Sequence, residues 1–170
     1  HQDSVVDAIV HASGNIPVPV IKGNGYGLGA GILAREAMRV GADTIAVGAP
    51  RANKVYVFAR DNLGVLTASW TQISSSSPLE LSSASYSFGC DVAMDGDTLV
   101  VGANLHSNGV HTGAAFVYSR DTHGFAYSAW TQSASLTIET SLVVKSFGSS
   151  VAIDGDIIVV GSDHIDGDFG

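Results

Sequence analysis

Short apolar runs separated by turn residues dominate the chain from residue 44 onward. Val92-Ala93-Met94 and Thr98-Leu99-Val100-Val101 flank Asp95-Gly96, and Val151-Ala152-Ile153 and Ile157-Ile158-Val159-Val160 flank Asp154-Gly155. Asp-Gly between β-rich runs predicts a hairpin, with a type I′ turn whose two central residues both need positive φ. A third strand is predicted at residues 114–119, with a counterpart at 54–59. A fourth is predicted at 128–133, with a counterpart at 68–73. Val100, Val101, Val159 and Val160 lie in continuous apolar runs, which predicts strands covered on both faces. Upstream the period changes. Residues 4–12 suit the end of a helix, residues 16–22 are β-rich, and residues 23–29 form a glycine-rich turn. Residues 30–40 place Ile32, Leu33, Ala37 and Val40 near one helical face, Gly41 suits a helix stop, and residues 44–47 are strand-like. Strand, helix, strand is one βαβ unit.

The apolar pattern repeats. One stretch runs from Phe88-Gly89 through Val92-Ala93-Met94-Asp95-Gly96-Asp97 to Val100-Val101-Gly102. It returns from Phe147-Gly148 through Val151-Ala152-Ile153-Asp154-Gly155-Asp156 to Val159-Val160-Gly161. Likewise Arg60-Asp61-Asn62-Leu63-Gly64, leading to Trp70-Thr71-Gln72, returns as Arg120-Asp121-Thr122-His123-Gly124, leading to Trp130-Thr131-Gln132. Two near-equal offsets in different segments identify one structural unit used more than once. Four antiparallel strands in about 60 residues is the size of a propeller blade. Trp70 and Trp130, at equivalent positions, are both expected to be substantially buried.

The phrases Phe-Gly, Val-Ala-x-Asp-Gly-Asp, Val-Val-Gly and Gly48-Ala49-Pro50 resemble FG-GAP repeats over residues 44–170. These repeats occur in integrin α-subunit propellers and in many secreted or surface proteins. The resemblance implies a ring of blades that binds proteins or glycans, and an extracellular or cell-surface location for the parent repeats. About two blades' worth of strands is present, one nearly complete at residues 88–140, too few to close a propeller. Many members of the family hold Ca²⁺ in a loop of alternating Asp or Asn residues. Oxygen ligands at alternate positions suit a hard cation. Asp95 and Asp97, and again Asp154 and Asp156, supply two acids each, which favours hairpin turns over an ion site. Asp163, Asp166 and Asp168 come closer to the spacing.

A second resemblance covers residues 1–48. Val20-Ile21-Lys22-Gly23-Asn24-Gly25-Tyr26-Gly27 and Gly41-Ala42-Asp43-Thr44-Ile45-Ala46-Val47 are similar to the cofactor segment of the alanine racemase family, whose PLP sits in a TIM-type barrel. The resemblance implies that Lys22 holds PLP covalently and that Tyr26 lies beside it. A lysine at a strand's C-terminal end would face a barrel mouth. Six further barrel strands and a second catalytic base have no counterpart, and an isolated βαβ unit cannot bury a cofactor. A solvated lysine at a strand end is therefore the expectation, with no cofactor.

Composition narrows the function classes. The formal net charge is −8, from 16 acidic and 8 basic residues, with no basic run. Nucleic-acid binding, which needs clustered Lys and Arg, is excluded as an expectation. No apolar stretch approaches bilayer length. The single cysteine, Cys90, rules out an intrachain disulfide framework. Its slot holds Ser149 in the next repeat, so a small structural residue is expected rather than a catalytic thiol. His106 and His111, without thiols or nearby carboxylates, are expected to be solvated loop residues rather than zinc ligands. The chain opens on His1 without a visible signal peptide and stops at Phe169-Gly170, the dipeptide that opens repeats, as a piece of something longer would.

The expected fold class is mainly β: antiparallel four-stranded propeller-blade repeats, an incomplete propeller, preceded by a short α/β segment. The expected organisation is a racemase-like βαβ fragment at 1–48 and FG-GAP repeats at 49–170. The leading function is non-enzymatic binding of a protein or glycan, with self-association through open sheet faces. The alternative is a PLP-dependent racemase-like fragment using Lys22 and Tyr26, inactive as it stands. A third is a fusion with no evolved function of its own.

Overall fold

The computed structural model describes residues 20–22, 43–60, 69–73, 78–81, 85–107, 112–123, 125–138, 143–162 and 164–166. Among these residues thirteen strands follow in chain order: β1 (Val20–Lys22), β2 (Thr44–Ala49), β3 (Lys54–Arg60), β4 (Trp70–Gln72), β5 (Leu79–Glu80), β6 (Ser85–Asp95), β7 (Thr98–Ser107), β8 (Thr112–Arg120), β9 (Trp130–Leu136), β10 (Val143–Lys145), β11 (Ser150–Asp154), β12 (Ile157–Gly161) and β13 (His164–Asp166). Among the described residues the helical structure is a 3-10 turn at Pro50–Ala52. Pro50 starts that turn, and Asn53, at φ 52°, ends it in the left-handed region that Asn tolerates. The helices expected at residues 4–12 and 30–40 lie outside the described residues.

The central unit is an antiparallel sheet in the order β6-β7-β8-β9. It is a meander, and it matches the nearly complete blade expected at 88–140. Alternation places Leu99 and Val101 on one face and Val100 on the other, and all three are fully buried. The first sheet has the order β1-β2-β3-β4, with β5 also paired to β3. Beyond the central sheet lie two antiparallel pairs, β11-β12 and β10-β13.

Two apolar layers join these sheets. In the first, Ala46, Val55, Val57 and Ala59 of the first sheet share a core with Val92, Met94, Leu99, Val101 and Phe116 of the central one. Phe88 is wholly buried there and meets the rings of Phe116 and Tyr118 edge-on, at centroid distances of 5.8 and 6.3 Å. In the second layer, Val100 and Ala115 pack against Val151 and Ile153, with Ile158 and Val160 alongside. Among the described residues three sheets are thus stacked face to face, consistent with propeller blades.

Several expectations change. The strands are longer than the apolar runs: β6 begins at Ser85 and β7 runs on to Ser107. The fourth strand starts at Trp130 rather than at 128, and its counterpart at Trp70 rather than 68. Trp130 is buried and Trp70 is half-buried. Val159, expected to be covered on both faces, is 60% exposed. It is the counterpart of Val100, which the β11-β12 hairpin covers, and no described strand stacks on Val159 in turn. The hairpins form, yet their centres shift by one residue. Asp95 pairs with Thr98, so the two turn residues are Gly96 and Asp97, and in the next repeat Gly155 and Asp156. Positive φ is confined to the glycines of these turns, at 54° and 58°, so they are not type I′.

At the chain's start, β1 runs parallel to β2, with Val20 opposite Ala46 and Lys22 opposite Gly48. On its other side β2 pairs antiparallel with β3. The boundary drawn at 48/49 therefore falls inside a strand, and the first sheet combines residues from both sides of it.

Candidate functional site

Antiparallel pairing carries the β6-β7 turn, the β8-β9 loop, the β11-β12 turn and the start of β2 to one end of the stack. That end is acidic. Asp121, Asp154 and Asp156 are exposed, and Asp43, Asp95 and Asp97 are half-buried. Its two described arginines, Arg60 and Arg120, are buried.

The hairpin acids have structural partners. Asp95 Oδ2 accepts the N–H of Gly155 at 2.7 Å, so one turn's carboxylate holds the next repeat's turn. Asp97 Oδ1 lies 2.8 Å from Arg120 Nε, and its Oδ2 contacts His123 Nδ1. The Arg120 guanidinium sits over the Trp130 ring, 4.9 Å from its centroid. It also donates to Thr44 Oγ1 at 3.2 Å, in the preceding sheet. Each of these groups contacts a neighbouring repeat or the adjoining loop. Asp95 and Asp97 thus act in the stack as acceptors of N–H and guanidinium groups. Among the described residues no group of three or more His, Cys, Asp or Glu side chains comes together to hold a metal.

The junction between sheets is itself a repeated device. A Cβ on Gly48 would fall on the carbonyl oxygen of Gly89, and a Cβ on Gly102 on that of Gly148. The glycine of each Val-Gly phrase therefore seats the Phe-Gly glycine of the next repeat. Gly89 and Gly148 have φ of 85° and 86°, and Ser87 and Ser146, two residues before each, are also left-handed at 66° and 62°. Beside this contact Asp91 is buried. Its Oδ1 accepts the N–H of Val92 at 2.8 Å and its Oδ2 that of Val151 at 2.9 Å. Val92 and Val151 are equivalent positions, so one carboxylate ties two repeats at the same point. Sequence reasoning missed this role, although Ser-Phe-Gly, present in both repeats, is a visible signal for the left-handed pair.

Cys90 Sγ lies 3.2 Å from the carbonyl oxygen of Gly148 in the same junction. Burial pushes the thiol's pKa above its ordinary value, and the Asp91 carboxylate acts in the same direction. A protonated, half-buried thiol is a poor nucleophile, which agrees with a structural residue. Lys22 is placed at the end of β1 by its backbone. Tyr26, His111, Asp163 and Asp168 lie outside the described residues. His106 and Asp166 pair in β7 and β13 with Ser85 and Val143.

Among the described residues no helix is long and apolar enough to cross a membrane. No curated protein matches the chain. The family model of the FG-GAP repeat matches residues 82–118 and 130–170. The first match covers β6, β7 and most of β8, and the second covers β9 to β13. These two stretches of the chain are thus similar to FG-GAP repeats, and the paired Phe-Gly and Val-Gly contacts at each junction are in keeping with that similarity.

Proposed function

We propose that this chain is a non-enzymatic, β-propeller-type binding module whose ligand is a protein or a glycan. The observation that carries the reading is the FG-GAP stack itself. Its buried residues are committed to packing one repeat on the next, which leaves the loops and turns at the strand ends to carry recognition. An extracellular or cell-surface location of the parent repeats belongs to the same proposal. So does the division into a 1–48 segment and a 49–170 repeat array, as a division of sequence pattern and not of sheets. Screening the chain against immobilised extracellular proteins and against a glycan array tests the reading. Saturable binding to one class supports it, and no binding to either overturns it.

For Lys22 and Tyr26 we propose no catalytic role and no resident PLP. A barrel of the racemase type is built of parallel strands, whereas β2 passes from a parallel partner, β1, to an antiparallel one, β3. The expected result is no alanine isomerisation. Isomerisation that disappears in Lys22→Ala would overturn this assignment.

A further inference from the structure

At the acidic end of the stack the described part of the loop between β8 and β9 carries an exposed aromatic pair. Phe125 is 56% exposed and Tyr127 38%, with ring centroids 6.3 Å apart and planes inclined at 55°. The loop holds them by internal hydrogen bonds. Asp121 N–H donates to the Ala129 carbonyl at 2.9 Å, and Ser128 N–H to that of Phe125 at 2.9 Å. Thr122 N–H donates to the Ser128 hydroxyl at 2.7 Å, and Ser128 is buried. His123, its side chain almost fully exposed, ties the same loop to the β6-β7 turn through Asp97. Two aromatic side chains are thus presented to solvent by a loop whose described residues are tied by hydrogen bonds, which lowers the entropy cost of using them.

We propose that Phe125 and Tyr127 form a docking surface for an arginine- or lysine-bearing segment of a protein partner. The proposal rests on the binding-module reading above and names its ligand class. Charge complementarity selects the occupant: among the described residues of this end the exposed carboxylates are Asp121, Asp154 and Asp156, and the arginines are buried. A cation placed over an aromatic face gains from the ring quadrupole, and a flanking carboxylate adds to that attraction. The fold uses the same arrangement inside itself, where Arg120 lies over Trp130 with Asp97 beside it. The two rings are inclined at 55° and so form no single flat platform for stacking a sugar, while a compact cation can be placed over one ring face. The net charge of −8 would speed encounter with a basic partner and make that encounter salt-dependent.

The test is fluorescence anisotropy with a labelled Arg-Gly repeat peptide, titrated with the intact chain. A Glu-Gly repeat peptide and a neutral oligosaccharide serve as the other probes. Phe125→Ala with Tyr127→Ala is the first variant, and Asp121→Asn with Asp154→Asn and Asp156→Asn is the second. These side chains are exposed, so circular dichroism should match the parent. Binding of the Arg-Gly peptide, weakened about fivefold to tenfold by the aromatic variant and also by the acidic one, supports the proposal. Binding unchanged by the aromatic variant means diffuse charge attraction and overturns it. Oligosaccharide binding that is lost in the aromatic variant overturns it in favour of a glycan and leaves the broader reading standing. No binding of any probe overturns this surface, and the wider screen then decides separately whether the module binds anything.

Discussion

Tyr118 faces the first core from β8 and is 4% exposed. Burial pushes its phenol pKa up to about 12. The folded chain therefore holds this proton more tightly than the unfolded chain, whose tyrosines titrate near pH 10. The resulting stability is fully present below about pH 10 and is lost as the pH rises through about 12. A shift of this size corresponds to about 2–3 kcal/mol. Urea denaturation at about pH 8 and about pH 11 should show the loss, and Tyr118→Phe should flatten that part of the pH dependence. An unchanged alkaline dependence in the variant would mean that another group is responsible. Tyr118 was legible in the sequence only as a strand residue. Its burial depends on Phe88, two strands earlier, whose ring reaches it across the sheet.

Asp91 works on the scale of strands, by satisfying N–H groups on β6 and β11 at once. Asp91→Ala removes both acceptors and leaves a buried donor on β11, at a cost of about 2–4 kcal/mol. Asp91→Asn keeps one acceptor and should cost less. Equal losses in the two variants, read from denaturant midpoints, would show that the one acceptor kept by Asn contributes nothing. Gly102 sets the spacing of the same strands. A methyl group there meets the Gly148 backbone, so Gly102→Ala should destabilise by about 3 kcal/mol. Gly96→Ala offers a contrast. It has open space around it, and its penalty would come from positive φ alone. The hairpins were legible because turn chemistry is local. Their shift from Asp95-Gly96 to Gly96-Asp97 was not. Asp95 pairs with Thr98 in the ladder and turns its carboxylate to Gly155, in the next repeat.

Over the whole molecule, stacking leaves one face without a described neighbour. Ile157 is 65% and Val159 60% exposed on the β11-β12 hairpin, where the equivalent Val100 is fully buried. Exposed branched side chains on a short, open-edged sheet favour association. The chain should self-associate at high concentration by light scattering. Ile157→Lys with Val159→Lys should shift it toward monomer with little change in the unfolding midpoint, since neither side chain belongs to a described core. A monodisperse monomer before substitution would show that this face is covered by other parts of the chain.

What the sequence determined by itself was the unit: strand runs, hairpins, a regular spacing, and the Phe-Gly and Val-Gly phrases that mark FG-GAP repeats. These are consequences of local chemistry, of side-chain alternation and of the φ that glycine alone adopts cheaply. What only the tertiary structure decided was the use of each face and each polar group. Val100 and Val159 are the same residue in equivalent strands, yet one is buried and the other open. Asp91 reads as one more polar position until Val151 arrives from the next repeat. Burial and hydrogen bonding at these points depend on partners in a neighbouring repeat, and a one-dimensional pattern records the repeat without recording which copy has a neighbour.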